Sequence, residues 1–372
     1  MHELASQPNP KESSHIMTGR ITRQLAAFKA LLAACFLIGL VLMTREIVNA
    51  DDHQNESRDP VAWAYGFATP GPDPAAPPCS PATKPHDCSW PGRPWPDDGI
   101  LLHLPASGQA FTIAQIQSFF APADWFPNEH PPAPDIVKYG SERDHLRACA
   151  HCHYFNGQGK AENGHLAGLT ANYILQQLAL FKNGGRNSAD PRKANVNEMI
   201  QVARFLSDDE AHSAAEYYSQ LKWRPGWTKA VETETVPKTR QSPAGLFLPL
   251  DGNQTEPLGN RIIEVPQNPD RTERLRDPHS GFVAYVPVGS LEKGKALVTT
   301  GAGKTVACGT CHGMDLQGKG DVPPIADRTA SYNMRQLYNY QQGTRETKLM
   351  KPIVEKLSVD DMIDIVAYLA SL

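Results

Sequence analysis

No excess of either charge runs through this sequence. Lys and Arg number 36 against 40 Asp and Glu, a net of −4, too little positive charge for a nucleic-acid binder. Nor is any apolar run long enough to read plainly as a membrane span. The longest, Ala30 to Met43, rises about 21 Å as a helix, short of a hydrocarbon core of roughly 30 Å. The Pro-rich stretch after it and the segment 223–288 lack a nucleotide-binding loop, a zinc-ligand cluster and a hydrolase elbow. Wholesale disorder is excluded as well, because 40% of the residues are apolar. Proline is the residue in excess. Its 32 copies argue against a regular helical bundle or α/β sheet throughout and predict long extended stretches.

Arg20, Arg23 and Lys29 precede the apolar run, and Val48-Asn49-Ala50 follows it. A basic start, a short apolar stretch and a small-residue site read as an export signal cleaved after Ala50, or as an anchor if it is retained. Cleavage would leave 31 basic and 37 acidic residues, so membrane contact is expected only through a retained apolar segment. The expected location is periplasmic, soluble or N-terminally anchored.

Of seven cysteines, Cys35 lies in the signal and four form two copies of one motif, Cys149-Ala150-His151-Cys152-His153 and Cys308-Gly309-Thr310-Cys311-His312. Cys-x-x-Cys-His is the c-type haem attachment sequence. Thiols three positions apart on one helical turn can both reach the vinyl groups on one edge of a porphyrin, and the adjacent histidine turns its ring under the iron. Two covalently bound haem c groups are therefore expected. Cys79 and Cys88 remain, and in an oxidising compartment a Pro-rich segment without its own core favours a disulfide between them.

The motif-bearing segments are an internal repeat. A shift of 159 residues lays Gln158-Gly159-Lys160 on Gln317-Gly318-Lys319, Tyr173 on Tyr332, Gln177-Leu178 on Gln336-Leu337 and Arg186 on Arg345. After eight extra residues in the first copy the shift becomes 151, pairing Met199 with Met350 and Tyr217 with Tyr368. Helices are expected from Tyr173 to Phe181 and Tyr332 to Tyr340. A final helix in each copy opens at Ser207-Asp208-Asp209-Glu210 or Ser358-Val359-Asp360-Asp361. Met199 and Met350, just before those final helices, are expected as the second axial ligands, soft thioethers that close the sixth iron position and raise its potential. Met314, Met334 and Met362 do not recur and read as packing. His151 reads as a spacer, and His165, His212 and His279 as surface or packing residues. Arg186 and Arg345 read either as partners of haem propionates or as helix-end charges.

On these residues the sequence resembles the class I cytochrome c family in its tandem dihaem arrangement. The match lies at Cys149, Cys152, His153 and Met199, and again at Cys308, Cys311, His312 and Met350. The resemblance implies an all-α fold of two cytochrome c-like haem domains, with Pro-rich, largely irregular N-terminal and inter-domain extensions. It also implies a backbone carbonyl that orients the proximal histidine. Pro323-Pro324 fits that role in the second copy, where the first has Gly164 and His165. The helix that precedes the motif in that family suits Ser290 to Thr299, while Pro131, Pro132 and Pro134 occupy the equivalent place in the first copy.

The organisation expected is a signal or anchor over 1–50, a Pro/Trp-rich accessory segment over 51–135, haem domains over 136–222 and 289–372, and a connection over 223–288. Ten prolines between Pro70 and Pro96, with Trp63, Trp90, Trp95 and Trp125 nearby, suggest an ordered wrap on the first haem domain. A short helix is expected from Ile113 to Phe120 and a small β element near Gly281 to Val286. The functional expectation is an electron carrier, without catalysis, between a periplasmic dehydrogenase-type donor and a cytochrome or oxidase acceptor. The alternative is a haem enzyme, a dihaem peroxidase or sulfur-compound dehydrogenase, in which one iron can open a coordination position.

Overall fold

The computed structural model describes residues 60–67 and 99–372, apart from residues 145 and 243. The signal or anchor, the Cys79–Cys88 disulfide and the positions of Trp90 and Trp95 lie outside the described residues. Those described belong to the unit Pro60–Leu372.

From Leu102 the accessory segment makes a short hairpin, β1 (Leu102–His103) against β2 (Ala110–Phe111), and one helical turn, α1 (Ile113–Ile116). Thr112 caps α1, accepting from Gln115 N while Gln115 Oε1 accepts from Thr112 N at 2.8 Å. The turn stops at Ile116, short of the expected Phe120, and the chain beyond it packs on the first haem motif. In the first copy, α2 (Asp135–Lys138) follows Pro134, α3 (Cys149–His153) carries the motif, and α4 (Ala171–Asn183), α5 (Ala194–Phe205) and α6 (Asp208–Ser219) follow. Thr170 caps α4, Gly184 at φ 86° ends it, and Ser207 with Glu210 closes a capping box on α6. Ile136, Val137, Ile174, Tyr217 and Tyr218 are among the buried residues of its core.

The connection carries short strands within its irregular chain. It makes β3 (Thr228–Glu232), β4 (Thr235–Pro237), β5 (Thr239–Gln241), β6 (Phe247–Pro249), β7 (Thr255–Pro257), β8 (Ile263–Pro266) and β9 (Phe282–Val286). β9 is the middle strand of a three-stranded sheet, parallel to β3 and antiparallel to β8, and β4–β7 and β5–β6 are antiparallel pairs. Prolines hid this because they sit at strand ends (Pro237, Pro249, Pro257, Pro266), where a missing N–H costs least.

The second copy comprises α7 (Ser290–Thr300), α8 (Gly309–His312), α9 (Ala330–Gln342), α10 (Lys351–Val354) and α11 (Val359–Ala370). The repeat shifts carry the bounds of α4 onto α9 and of α6 onto α11 without a residue's error. α7 lies where the family's first helix is expected, and the first copy keeps only the single turn α2 in its place. Met362, Ile363, Val366 and Leu369 of α11 form much of the second core, with Leu297 and Val298 of α7. Trp63 and Tyr65 are buried in this same core, so the wrap reaches the second copy there, not the first as expected. Trp125 is buried separately, with Leu104, Ile116 and Leu275, and its indole N–H donates to Leu275 O at 2.8 Å. Among the described residues no helix is long and apolar enough to cross a membrane.

Candidate haem-binding sites

In α3 the Cys149 and Cys152 thiols sit one turn apart and are not joined in a disulfide. Burial pushes them up to about 12 and about 11, and Cys308 to about 11, so all three are neutral thiols rather than reactive thiolates.

The next residue, His153, donates from Nδ1 to the Gly164 carbonyl at 2.8 Å. A carbonyl can only accept, so this bond fixes the tautomer and leaves Nε2 with the lone pair for a metal. Burial lowers the His153 pKa, which keeps the ring neutral. In the second copy His312 Nδ1 donates to Pro323 O at 2.7 Å. Gly164 and Pro323 are aligned by the 159-residue shift, so both copies use the same backbone atom although one has lost the proline.

Cys149, Cys152, His153 and Met199 line one cleft of about 1390 Å³, its open mouth included, with Ile174 and Tyr218 among its apolar walls. A flat, largely apolar group with a metal at its centre fits this donor set: two thiols on one edge, an imidazole and a thioether. Met199 lies within α5, a helix the sequence did not announce because the residue at its N-cap, Lys193, offers no side-chain cap. In the second copy Cys308 and Met350 lie against the same apolar cluster, and Met350 is the N-cap residue of α10. The aligned methionines therefore stand on unlike local structure, a full helix in one copy and the head of a single turn in the other. Met334 and Met362 are fully buried packing residues, as expected, whereas Met314 is 92% exposed and packs nothing of the core.

The other singled-out histidines are accounted for without a metal. His151 donates from Nδ1 to Ser118 O at 2.9 Å and meets Phe119 edge-on at 4.9 Å, which seats the accessory segment on the motif. The Arg276 guanidinium also donates to His151 O. His165 is buried between Trp223 and Tyr332, with Nε2 at 2.7 Å from Thr329 Oγ1. His212 bonds to Asp208 O at 2.7 Å, and His279 pairs with Glu129 at 2.7 Å.

Arg186 and Arg345 are not simple helix-end charges. Each donates to the glutamine of its own copy, Gln177 at 3.0 Å and Gln336 at 2.7 Å. Each then crosses to the tyrosine of the other copy: Arg186 to Tyr332 at 3.3 Å, Arg345 to Tyr173 at 2.8 Å. The two arginines also form an antiparallel bridge with one another. These are the residues that recurred under the shift, so the recurrence marked an interface with approximate two-fold symmetry. Arg186, Tyr173, Tyr332 and Gln336 line the first cleft as well.

Such a duplicated helical unit, with an oriented histidine beside paired thiols, defines an electron-transfer cytochrome. The cytochrome c family profile matches residues 143–222 and 291–372. Cytochrome c-554(548) of Halomonas halodenitrificans is 35% identical over 75 residues, 19% of this chain and 90% of that protein. The chain belongs to the cytochrome c family, and its two cytochrome c domains imply covalently bound haem c. Cytochrome c-552 of Acidithiobacillus ferridurans is 39% identical over 83 residues, 22% of this chain and 36% of its own length. The thiosulfate dehydrogenase electron acceptor of Thiomonas intermedia (strain K12) is 26% identical over 201 residues, 53% of this chain and 64% of that protein. The chain thus spans less than two thirds of each of these last two relatives. One of these relatives carries electron acceptance in its name, and the others are named as c-type cytochromes.

Proposed function

We propose that the chain is an exported dihaem carrier whose haems are bound through Cys149 and Cys152, and through Cys308 and Cys311. His153 with Met199, and His312 with Met350, would ligate the two irons. Haem held there supplies one-electron iron chemistry. The observation that carries this reading is the His153 ring, fixed by Gly164 O, in the wall of a cleft that Met199 also lines. The chain's own work is positional: carbonyls orient both imidazoles, apolar walls exclude water, and thioethers close the remaining positions. With both positions taken by protein side chains, haem held there would supply one-electron chemistry without binding substrate. The basic residues and apolar run at 20–43 support export, with the protein soluble or anchored there.

The donor is a dehydrogenase-type protein and the acceptor a cytochrome or oxidase. The Thiomonas relative, named as an electron acceptor of thiosulfate dehydrogenase, supports a donor of that kind. Electrons exchange with partners at the second copy, where Cys311 and Met314 are exposed; in the first, Ala150 and His151 are buried. An alkaline pyridine spectrum of purified protein is expected to give two haem c per chain. Cys152→Ser and Cys311→Ser should each disturb one. A single haem in the unaltered protein would contradict the reading.

A further inference from the structure

The repeat places Lys160 over Lys319 and Glu162 over Asp321, yet the two copies treat these charges in opposite ways. Lys319 and Asp321 are exposed, and Asp321 accepts from Thr170 Oγ1 at 2.6 Å and Asn172 Nδ2 at 2.5 Å. Glu162 is 3% exposed and lies in the wall of the first cleft. Lys160, also buried, brings its ammonium to 2.6 Å from Glu162 Oε1, and Glu162 Oε2 has no hydrogen-bond partner. A buried carboxylate with an unpartnered oxygen is costly to keep unless something in the site uses the charge.

The loop that carries Glu162 is tied to the motif at three points. Gly159 N donates to His153 O at 3.1 Å, Asn163 Nδ2 to Cys152 O at 3.1 Å, and His153 Nδ1 to Gly164 O at 2.8 Å. Glu162 is therefore held in fixed relation to the proximal histidine. Burial alone would raise its pKa, but Lys160 overcomes that and holds it below the ordinary carboxylate range, so it is ionised at neutral pH. The other carboxylate on the wall, Glu198, is matched by Arg147 at 2.7 Å.

We propose that Glu162 is a positioning charge for the first haem: its buried carboxylate favours the ferric state and lowers that haem's reduction potential, an effect the second copy lacks because Asp321 faces solvent. The physical basis is that a fixed charge in a poorly screened wall interacts strongly with a change in iron charge, while one in water does not. The duplicated domains thereby acquire different potentials without a change of ligand set. This inference rests on the presence of haem in the first cleft.

The test is a spectroelectrochemical titration of the full chain, with the first haem assigned as the component displaced in Met199→His. Glu162→Gln should move the first component to higher potential and leave the second in place. Glu162→Asp should restore most of the original value, and Asp321→Asn should move neither. If Glu162→Gln fails to fold, Lys160→Met with Glu162→Gln removes both buried charges together. Its first component should still rise, by less, because the carboxylate and not the ammonium lines the cleft. An unmoved or lowered first component in a variant that retains two haems would overturn the inference. Loss of haem from the unaltered protein would instead overturn the haem assignment on which it rests.

Discussion

Asp364 shows how a single side chain carries a pH signature. It lies on α11 opposite Lys293 of α7, and burial, with Asp361 and Asp360 adding repulsion, pushes its carboxyl up to about 6 against the pull of Lys293. The folded state then holds its proton where the unfolded chain has released it. Stability therefore falls as pH rises from about 4 to about 6, and the cost persists above that window. Asp364→Asn removes the charge, so its Tm should exceed that of the unaltered protein at pH 7 and converge with it near pH 3. Equal Tm values at pH 7 would show that Asp364 is not strained. At this scale the haem motif was fully legible, because Cys-x-x-Cys-His is a local pattern with a covalent purpose. The Gly164 carbonyl was half legible: the alignment pointed to its position, but a backbone acceptor needs no particular side chain. Glu162 and Lys160 gave no signal, since burial of a charge is decided by what packs over it.

The closest helix contact in the second copy is α7 against α11. A Cβ built on Gly294 would stand 1.9 Å from the Asp364 carbonyl, so only glycine lets the backbones approach. Gly294→Ala should cost about 3 kcal/mol or more by forcing α7 away from α11, read as a lower midpoint in a denaturant titration. Ser358→Ala, which removes the cap that accepts from Asp361 N at 3.1 Å, should cost about 1 kcal/mol. The two changes differ in kind, one steric and one a lost bond, so the larger loss at Gly294 is itself a check. Capped helices were read well from sequence: Ser207 with Glu210 and Ser358 with Asp361 both form the expected boxes. α5 was missed because no side chain caps it, and the strands of the connection were obscured by prolines that end them. Periodicity and capping are local, whereas pairing of β3 with β9 joins residues more than fifty positions apart.

For the whole molecule, the duplicated unit has been made unequal. The accessory segment covers the first motif through His151 and Phe119, while the wrap at Trp63 and Tyr65 is absorbed into the second core. The two copies meet through Arg186, Arg345 and their tyrosines and glutamines, which sequence identity under the shift had marked without showing why. The fold class was legible because the repeat is long and its helices keep register. The path of the accessory segment was not, since aromatics announce burial but not the surface that buries them. A chain with two closed haem sites behaves as a relay, and the central claim is that both sites are closed by methionine. The direct measurement is the weak long-wavelength band of methionine-bound ferric haem, recorded on oxidised protein and normalised to haem content. Two equivalents per chain are predicted, with one lost in Met199→Ala and the other in Met350→Ala. A single equivalent in the unaltered protein, or a high-spin ferric spectrum, would leave an iron open and contradict the account.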